Sequence, residues 1–160
     1  MTDLPRRTVS LPVESAPEGK SKWYKAGLQF KCTQCGNCCS GGPGFVWLTD
    51  ADIERIAAFL GLSVPAFTGQ YVRLIGDQLS LTEKPDYDCI FLQRADGKAM
   101  CGIYPVRPMQ CRTWPFWDMN LKNEDAWDRA GGRCPGMRDK TGPVYPFEHI
   151  EKCRKHPESP

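Results

Sequence analysis

Four cysteines lie within eight residues in the first quarter of the chain, in the spacing C-x2-C-x2-C-C: Cys32, Cys35, Cys38 and Cys39. Thiols this close together can share one cation, because a bound cation lowers the pKa of each thiol and the thiolate is the form that ligates metal. Further single cysteines follow at Cys89, Cys101, Cys111, Cys134 and Cys153. This pattern predicts a metal-binding site that is built from cysteine side chains.

The bulk composition is that of an ordinary globular protein. The chain has 160 residues, is 25% charged and carries a formal net charge of +2. Such a length predicts one principal domain with a modest core, and the near-neutral charge predicts neither nucleic acid nor a membrane as partner. No apolar stretch approaches the roughly 18 residues of a membrane span, and no export signal opens the chain. The expected location is therefore the cytoplasm, where thiols stay reduced and cysteine-rich patterns favour metal over disulfides.

The composition divides the chain into three regions. Residues 1–22 are rich in Pro, Ser, Glu, Arg and Lys and are predicted to be a disordered N-terminal arm. Residues 23–137 are predicted to be the cysteine-cluster metal-binding domain, and residues 138–160 a polar C-terminal tail. In that tail, His149, Cys153 and His156 are spaced for one face of a helix. They indicate either an accessory metal site or incidental polar residues.

The predicted fold class is α+β: a small, loop-rich, metal-stabilised domain with short helices and β-hairpins around the cysteine cluster. Thr49 and Asp52 form a capping-box pattern that begins a helix, and Gly61 is a plausible end of it. A short buried strand is expected at residues 45–48, just before that helix. Residues 72–82 alternate around Gly76-Asp77, which predicts a hairpin. Beyond residue 113 the chain is expected to be loop-like.

A second hairpin is predicted around the Asp96-Gly97 turn. With two central residues in the turn, Cys101 lies opposite Leu92. Cys89 then lies three residues along its strand, about 10 Å from that pair at the usual strand rise. This separation forbids a Cys89–Cys101 disulfide but allows both thiols to serve one polynuclear site or two sites.

The first cysteine run begins like a bacterial ferredoxin motif but departs from it, because Cys39 follows Cys38 immediately. Adjacent side chains diverge in extended backbone, so Cys38 and Cys39 are not expected to face one small ion in the same way. One of them could reach a second centre. Downstream, Pro108 is expected to start a short helical turn that presents Cys111.

The segment from Cys101 to Pro115 reads C-x-I-Y-x-x-R-P-x-x-C-R-x-W-P. Together with the C-x2-C-x2-C-C run, it resembles the YkgJ-like cysteine-cluster family, whose members are described as zinc- or iron-chelating domains. Cys89 and Cys134 occupy flanking positions of that family pattern, and Cys153 lies outside it. The resemblance and the spacing imply eight metal ligands: Cys32, Cys35, Cys38, Cys39, Cys89, Cys101, Cys111 and Cys134.

The leading prediction is a metal-binding protein that chelates zinc or an iron–sulfur centre. One alternative is an iron–sulfur oxidoreductase or electron carrier with a redox partner, and a second is a metal-handling or assembly factor with a protein partner. Enzymatic activity is left open. The sequence contains no Ser–His–Asp or Cys–His arrangement and no G-x-G-x-x-G loop, so no catalytic residues are predicted. Four arginines near the late cysteines could offset thiolate charge or simply be solvated: Arg94, Arg107, Arg112 and Arg133.

Overall fold

The computed structural model describes residues 21–155, so nearly all of the predicted arm at 1–22 lies outside the described residues. Helices lie at Asp50–Leu60 (α1), Val64–Tyr71 (α2), Met109–Thr113 (α3), Asp118–Leu121 (α4), Glu124–Arg133 (α5) and Phe147–Arg154 (α6). Strands lie at Leu28–Gln29 (β1), Val72–Ile75 (β2), Gln78–Leu81 (β3), Leu92–Ala95 (β4), Lys98–Cys101 (β5) and Val144–Tyr145 (β6). They pair antiparallel as β1 with β6, β2 with β3 and β4 with β5. The predicted α+β class is confirmed.

Helix α1 begins where the capping pattern predicts. The Thr49 side chain accepts a hydrogen bond from the Asp52 N–H, and the Asp52 carboxylate accepts one from the Thr49 N–H. The helix ends at Gly61, which adopts a left-handed conformation (φ 69°). Glycine tolerates this conformation because it has no Cβ atom. Every helix within residues 21–155 is too short or too polar to cross a membrane.

The first of two hydrophobic clusters, the helix–hairpin cluster, packs α1 and α2 against the β2–β3 hairpin. Its buried members are Ile53, Ile56, Ala57, Phe67, Leu81, Phe91 and Ile103. Cys89 and Cys101 are partly buried against it. The strand predicted at 45–48 is reduced to a single bridge between Trp47 and Ser80. The Val46 and Trp47 N–H groups donate to the side chains of Ser80 and Gln110 instead of to backbone carbonyls, which limits the ladder.

The β4–β5 hairpin has the predicted register. Leu92 pairs with Cys101, and the turn residues Asp96 (φ 52°) and Gly97 (φ 73°) both adopt left-handed conformations. This is the turn geometry that matches the twist of a two-residue hairpin. It places Cys101 at the end of β5. Cys89 leaves the β4 ladder and instead bridges Glu83.

The second cluster, the C-terminal cluster, comprises the buried residues Tyr24, Phe116, Leu121, Trp127, Cys134, Met137 and Ile150. The loop-like structure expected beyond residue 113 is wrong, because α4 and α5 form there. Asn123 caps α5 by accepting a hydrogen bond from the Ala126 N–H at 2.8 Å. Acidic residues in the first turn of α5 and Arg133 in its last turn complement the helix dipole.

The sequence predicts a polar tail at residues 138–160, whereas the described part of that range contains β6 and α6. Residues 144–145 pair with β1, and Ile150 in α6 is wholly buried in the C-terminal cluster. The Glu151 carboxylate also accepts hydrogen bonds from Lys22 and Tyr24. Composition underestimates this segment because a few apolar side chains spaced along it, Tyr145, Phe147 and Ile150, and the ion pairs of Glu151 attach it.

Candidate metal centre

Backbone hydrogen bonds hold the cysteine run against the β4–β5 hairpin. The Cys89 N–H donates to the Cys39 carbonyl at 2.7 Å, and the Ala99 N–H donates to the Gln34 carbonyl at 2.9 Å. Gly36 lies between these two attachments in a left-handed conformation (φ 76°). A Cβ atom there would stand 2.5 Å from the Ala99 Cβ, so the close approach requires glycine. These contacts bring Cys39 beside Cys89.

The end of α5 is attached to the same run. The Asn37 side-chain amide donates to the Arg133 carbonyl at 2.6 Å, and the Arg133 guanidinium donates to the Ser40 carbonyl at 3.2 Å. The Lys31 N–H donates to the Gly136 carbonyl at 3.1 Å. Cys134, which follows α5 directly, is thereby held alongside the first cysteines.

Helix α3 is fixed by Gln110, which is only 5% exposed. Its side-chain oxygen accepts from the Trp47 N–H at 2.8 Å, and its side-chain nitrogen donates to the Phe45 carbonyl at 3.0 Å. Both bonds orient the helix that carries Cys111. Sequence reasoning missed Gln110; its place beside a predicted ligand was the one available signal.

Six of the eight predicted ligands line a single cavity of about 360 Å³: Cys32, Cys38, Cys39, Cys89, Cys101 and Cys111. Cys134 lines an adjoining cavity of about 560 Å³, which shares Cys38, Cys39 and Cys89 with the first. Cys35 lines neither cavity but lies near Cys134. Burial is the main cause that raises the pKa of the Cys134 thiol, and Cys35 adds to it. The cysteine run, the hairpin, α3 and the end of α5 therefore all bring thiols to one region.

The side chains of Cys38 and Cys39 were predicted to diverge, but they lie side by side. Residues 37–39 form a 3-10 turn rather than extended backbone, and the two sulfurs lie 3.7 Å apart. That distance is close to the roughly 3.8 Å between two thiolates bound to one tetrahedral zinc at about 2.3 Å. None of the nine cysteines is in a disulfide. Within residues 21–155, however, no three His, Cys, Asp or Glu side chains stand close enough to hold an ion.

Burial and mutual repulsion oppose the ionisation of most of these thiols, a cost that a bound cation would offset. Burial raises the pKa of Cys89, Cys101 and Cys111. A hydrogen bond from Cys39 lowers the pKa of Cys38 and raises that of Cys39 itself. Partly buried thiols of this kind release their protons when a metal ion binds to the sulfurs. Sulfur donors suit zinc and iron, so the chemistry of the donor atoms fits either metal.

Cys153 lies apart from both cavities. It sits on α6 with its sulfur 3.5 Å from the His149 Nε2, while His156 falls outside the described residues. The His149 ring packs against Tyr145 and Phe116. The contacts of these two side chains are thus accounted for by the packing of α6.

Comparison with known proteins shows that the chain is similar to a described family and to a protein from an archaeon. The CxxCxxCC family, described as "Putative zinc- or iron-chelating domain", matches residues 31–160. An uncharacterized protein of Methanocaldococcus jannaschii is 31% identical over 93 residues, which cover 58% of this chain and 48% of that protein. The chain therefore spans about half the length of this relative. No solved structure matches.

Proposed function

The chain belongs to the CxxCxxCC family, as its two cysteine motifs predicted, and on that premise we propose that it chelates zinc or an iron–sulfur centre through eight cysteines. The observation that carries this proposal is the convergence of six unbridged thiols on one cavity. The family match supports metal binding in general. We place this function in the cytoplasm, because its reducing conditions keep such thiols free to ligate.

The contacts support a division of the ligands into two groups. Five thiols lie near enough to influence one another's pKa: Cys38, Cys39, Cys89, Cys101 and Cys111. Cys32 lines the same cavity as these five, so it joins the first group, whereas Cys134 interacts with Cys35 instead. Because zinc needs only four thiolates, eight cysteines exceed the requirement of a single zinc ion. We therefore propose either two centres or one polynuclear centre, with the first group as its main ligand set.

A redox function is the second candidate, in which an iron–sulfur cluster exchanges electrons with a partner protein. Cys32 and Cys38 are exposed, so part of the ligand set lies at the surface where electron transfer to a partner is short. Exposed apolar side chains also line the cavities, among them Phe45, Met100 and Tyr104. The same exposure would serve a metal-handling factor, which needs ligands that a partner can reach.

Metal analysis of anaerobically purified protein distinguishes these candidates. A brown protein with stoichiometric iron and sulfide indicates an iron–sulfur centre, and reversible bleaching by dithionite with a new paramagnetic signal indicates redox work. A colourless protein with stoichiometric zinc supports chelation and rejects the redox candidate. Metal that exchanges rapidly with a chelator supports metal handling.

Serine substitutions test the ligand assignment. Cys111→Ser and Cys35→Ser each remove one thiol from the two proposed groups, so both should lose metal and much of the folded structure measured by circular dichroism. Cys153→Ser is the matched control and should keep both, because its sulfur lines neither cavity. Equal metal content in all three variants would contradict the assignment.

A further inference from the structure

The arginines near the late cysteines differ in the groups that their guanidinium side chains contact. Arg94 pairs with Asp88 at 3.3 Å. Arg112 donates to the carbonyls of Arg107 and Pro105, at 3.0 and 2.8 Å, and is exposed. Arg133 donates to the carbonyl of Ser40, the residue that follows the cysteine run. Within residues 21–155, the Arg107 guanidinium makes no salt bridge to a carboxylate.

Arg107 nevertheless has a defined position. Its guanidinium carbon lies 4.0 Å from the centre of the Tyr104 ring, a cation–π contact. The two hydrogen bonds from Arg112 fix the backbone on either side of it. From this position Arg107 lines the same 360 Å³ cavity as six of the cysteines. Its charge therefore faces thiols rather than a carboxylate.

That charge opposes the cost of gathering thiolates in the cavity. Cys101 and Cys111 line the cavity together with Arg107, and both side chains are partly buried, so water screens their charge incompletely. A cluster of thiolates around one divalent ion carries excess negative charge, and a nearby cation in a partly buried site reduces the cost of gathering it.

We propose that Arg107, held by the Tyr104 ring, is the counter-charge of the cysteine centre: it ligates no metal itself but stabilises the thiolates that do. This inference rests on the proposed function. It predicts that metal affinity depends on the charge at position 107 and not on the size of the side chain there.

A substitution series separates charge from size. Arg107→Lys should retain most of the affinity for cobalt(II), a coloured probe of thiolate sites. Arg107→Gln should bind it about tenfold more weakly, and Arg107→Glu more weakly still. Arg129→Gln is the matched control, because it removes the same charge from an exposed position of α5 outside both cavities. Equal weakening in Lys, Gln and Glu variants would indicate a packing role and overturn the proposal.

A metal-free measurement tests the same charge independently. The thiols are alkylated with anionic iodoacetate and with neutral iodoacetamide, and the ratio of the two rates is taken, so that the fraction of thiolate cancels. We expect Arg107→Gln to lower this ratio about fivefold and Arg129→Gln to leave it unchanged. An unchanged ratio in Arg107→Gln would overturn this inference even where metal binds. A wild-type chain that binds no metal would instead refute the proposed function.

Discussion

Replacing Glu151 with Gln tests whether charge attaches the C-terminal helix to the beginning of the described chain. The Glu151 carboxylate is 12% exposed and accepts hydrogen bonds from Lys22 at 2.7 Å and from the Tyr24 hydroxyl at 2.6 Å. It also accepts from the Arg154 Nε at 2.9 Å. Each hydrogen bond to a charged group contributes about 1.5–3 kcal/mol. The sum is not lost in full, because Lys22 is screened by solvent and Arg154 keeps its bond to Asp118.

We expect Glu151→Gln to lower the free energy of unfolding by about 2–3 kcal/mol at neutral pH. The Arg154 guanidinium, ahead of Lys22 and Tyr24, holds the pKa of the Glu151 carboxyl well below its usual range. In the unfolded chain a glutamate has a pKa of about 4.3. Because the folded pKa is the lower one, this stabilisation is present above the unfolded value and is lost as pH falls toward the folded pKa. The difference between wild type and variant should shrink by about 1 kcal/mol at roughly pH 3.5.

The assay is urea denaturation followed by circular dichroism at the two pH values. Glu148→Gln is the control, since Glu148 is exposed on the first turn of the same helix. Its effect on the free energy of unfolding should stay within about 0.5 kcal/mol. Similar losses in both variants, or a difference that does not move with pH, would refute the argument that the partly buried carboxylate charge of Glu151 holds α6 in place.

Two further substitutions test the packing and capping of the helices. Ile150→Ala should lower the free energy of unfolding in urea by about 2–5 kcal/mol, because Ile150 is wholly buried; a loss no larger than that of exposed Lys152→Ala would contradict the packing of α6. Thr49→Ala should lower stability in thermal denaturation by about 0.5–2 kcal/mol, because it removes the side chain that caps α1. Thr49→Ser keeps the hydroxyl and should lose much less, and equal losses would count against the cap.

The elements that could be predicted from sequence are those with local signals. A capping box marks the start of α1, and the left-handed pair Asp96-Gly97 sets the register that places Cys101 opposite Leu92. Such signals act within a few residues, so they need no knowledge of the rest of the fold. The α5 helix had comparable signals, an Asn123 cap and acidic residues in its first turn, but its glycines and surrounding aromatics resembled a loop.

The grouping of the cysteines could not be predicted in the same way, because distant contacts determine it. Asn37 reaches the Arg133 carbonyl across 96 positions, and Gln110 reaches the Phe45 carbonyl across 65. Neither bond leaves a periodic pattern in the sequence. The divergence expected of Cys38 and Cys39 failed for a related reason, since a 3-10 turn replaced the extended backbone on which the expectation depended.

The position of the thiols also bears on how the domain is held together. Cys89 and Cys101 pack against the helix–hairpin cluster, whereas Cys134 belongs to the C-terminal cluster. Each cluster has seven buried members, which is small for an independently stable core. The cysteine run lies between them and is bonded to both, through Cys89 on one side and Arg133 on the other. A metal bound by thiols from both sides would link the two clusters, so its binding free energy would add directly to the stability of the fold.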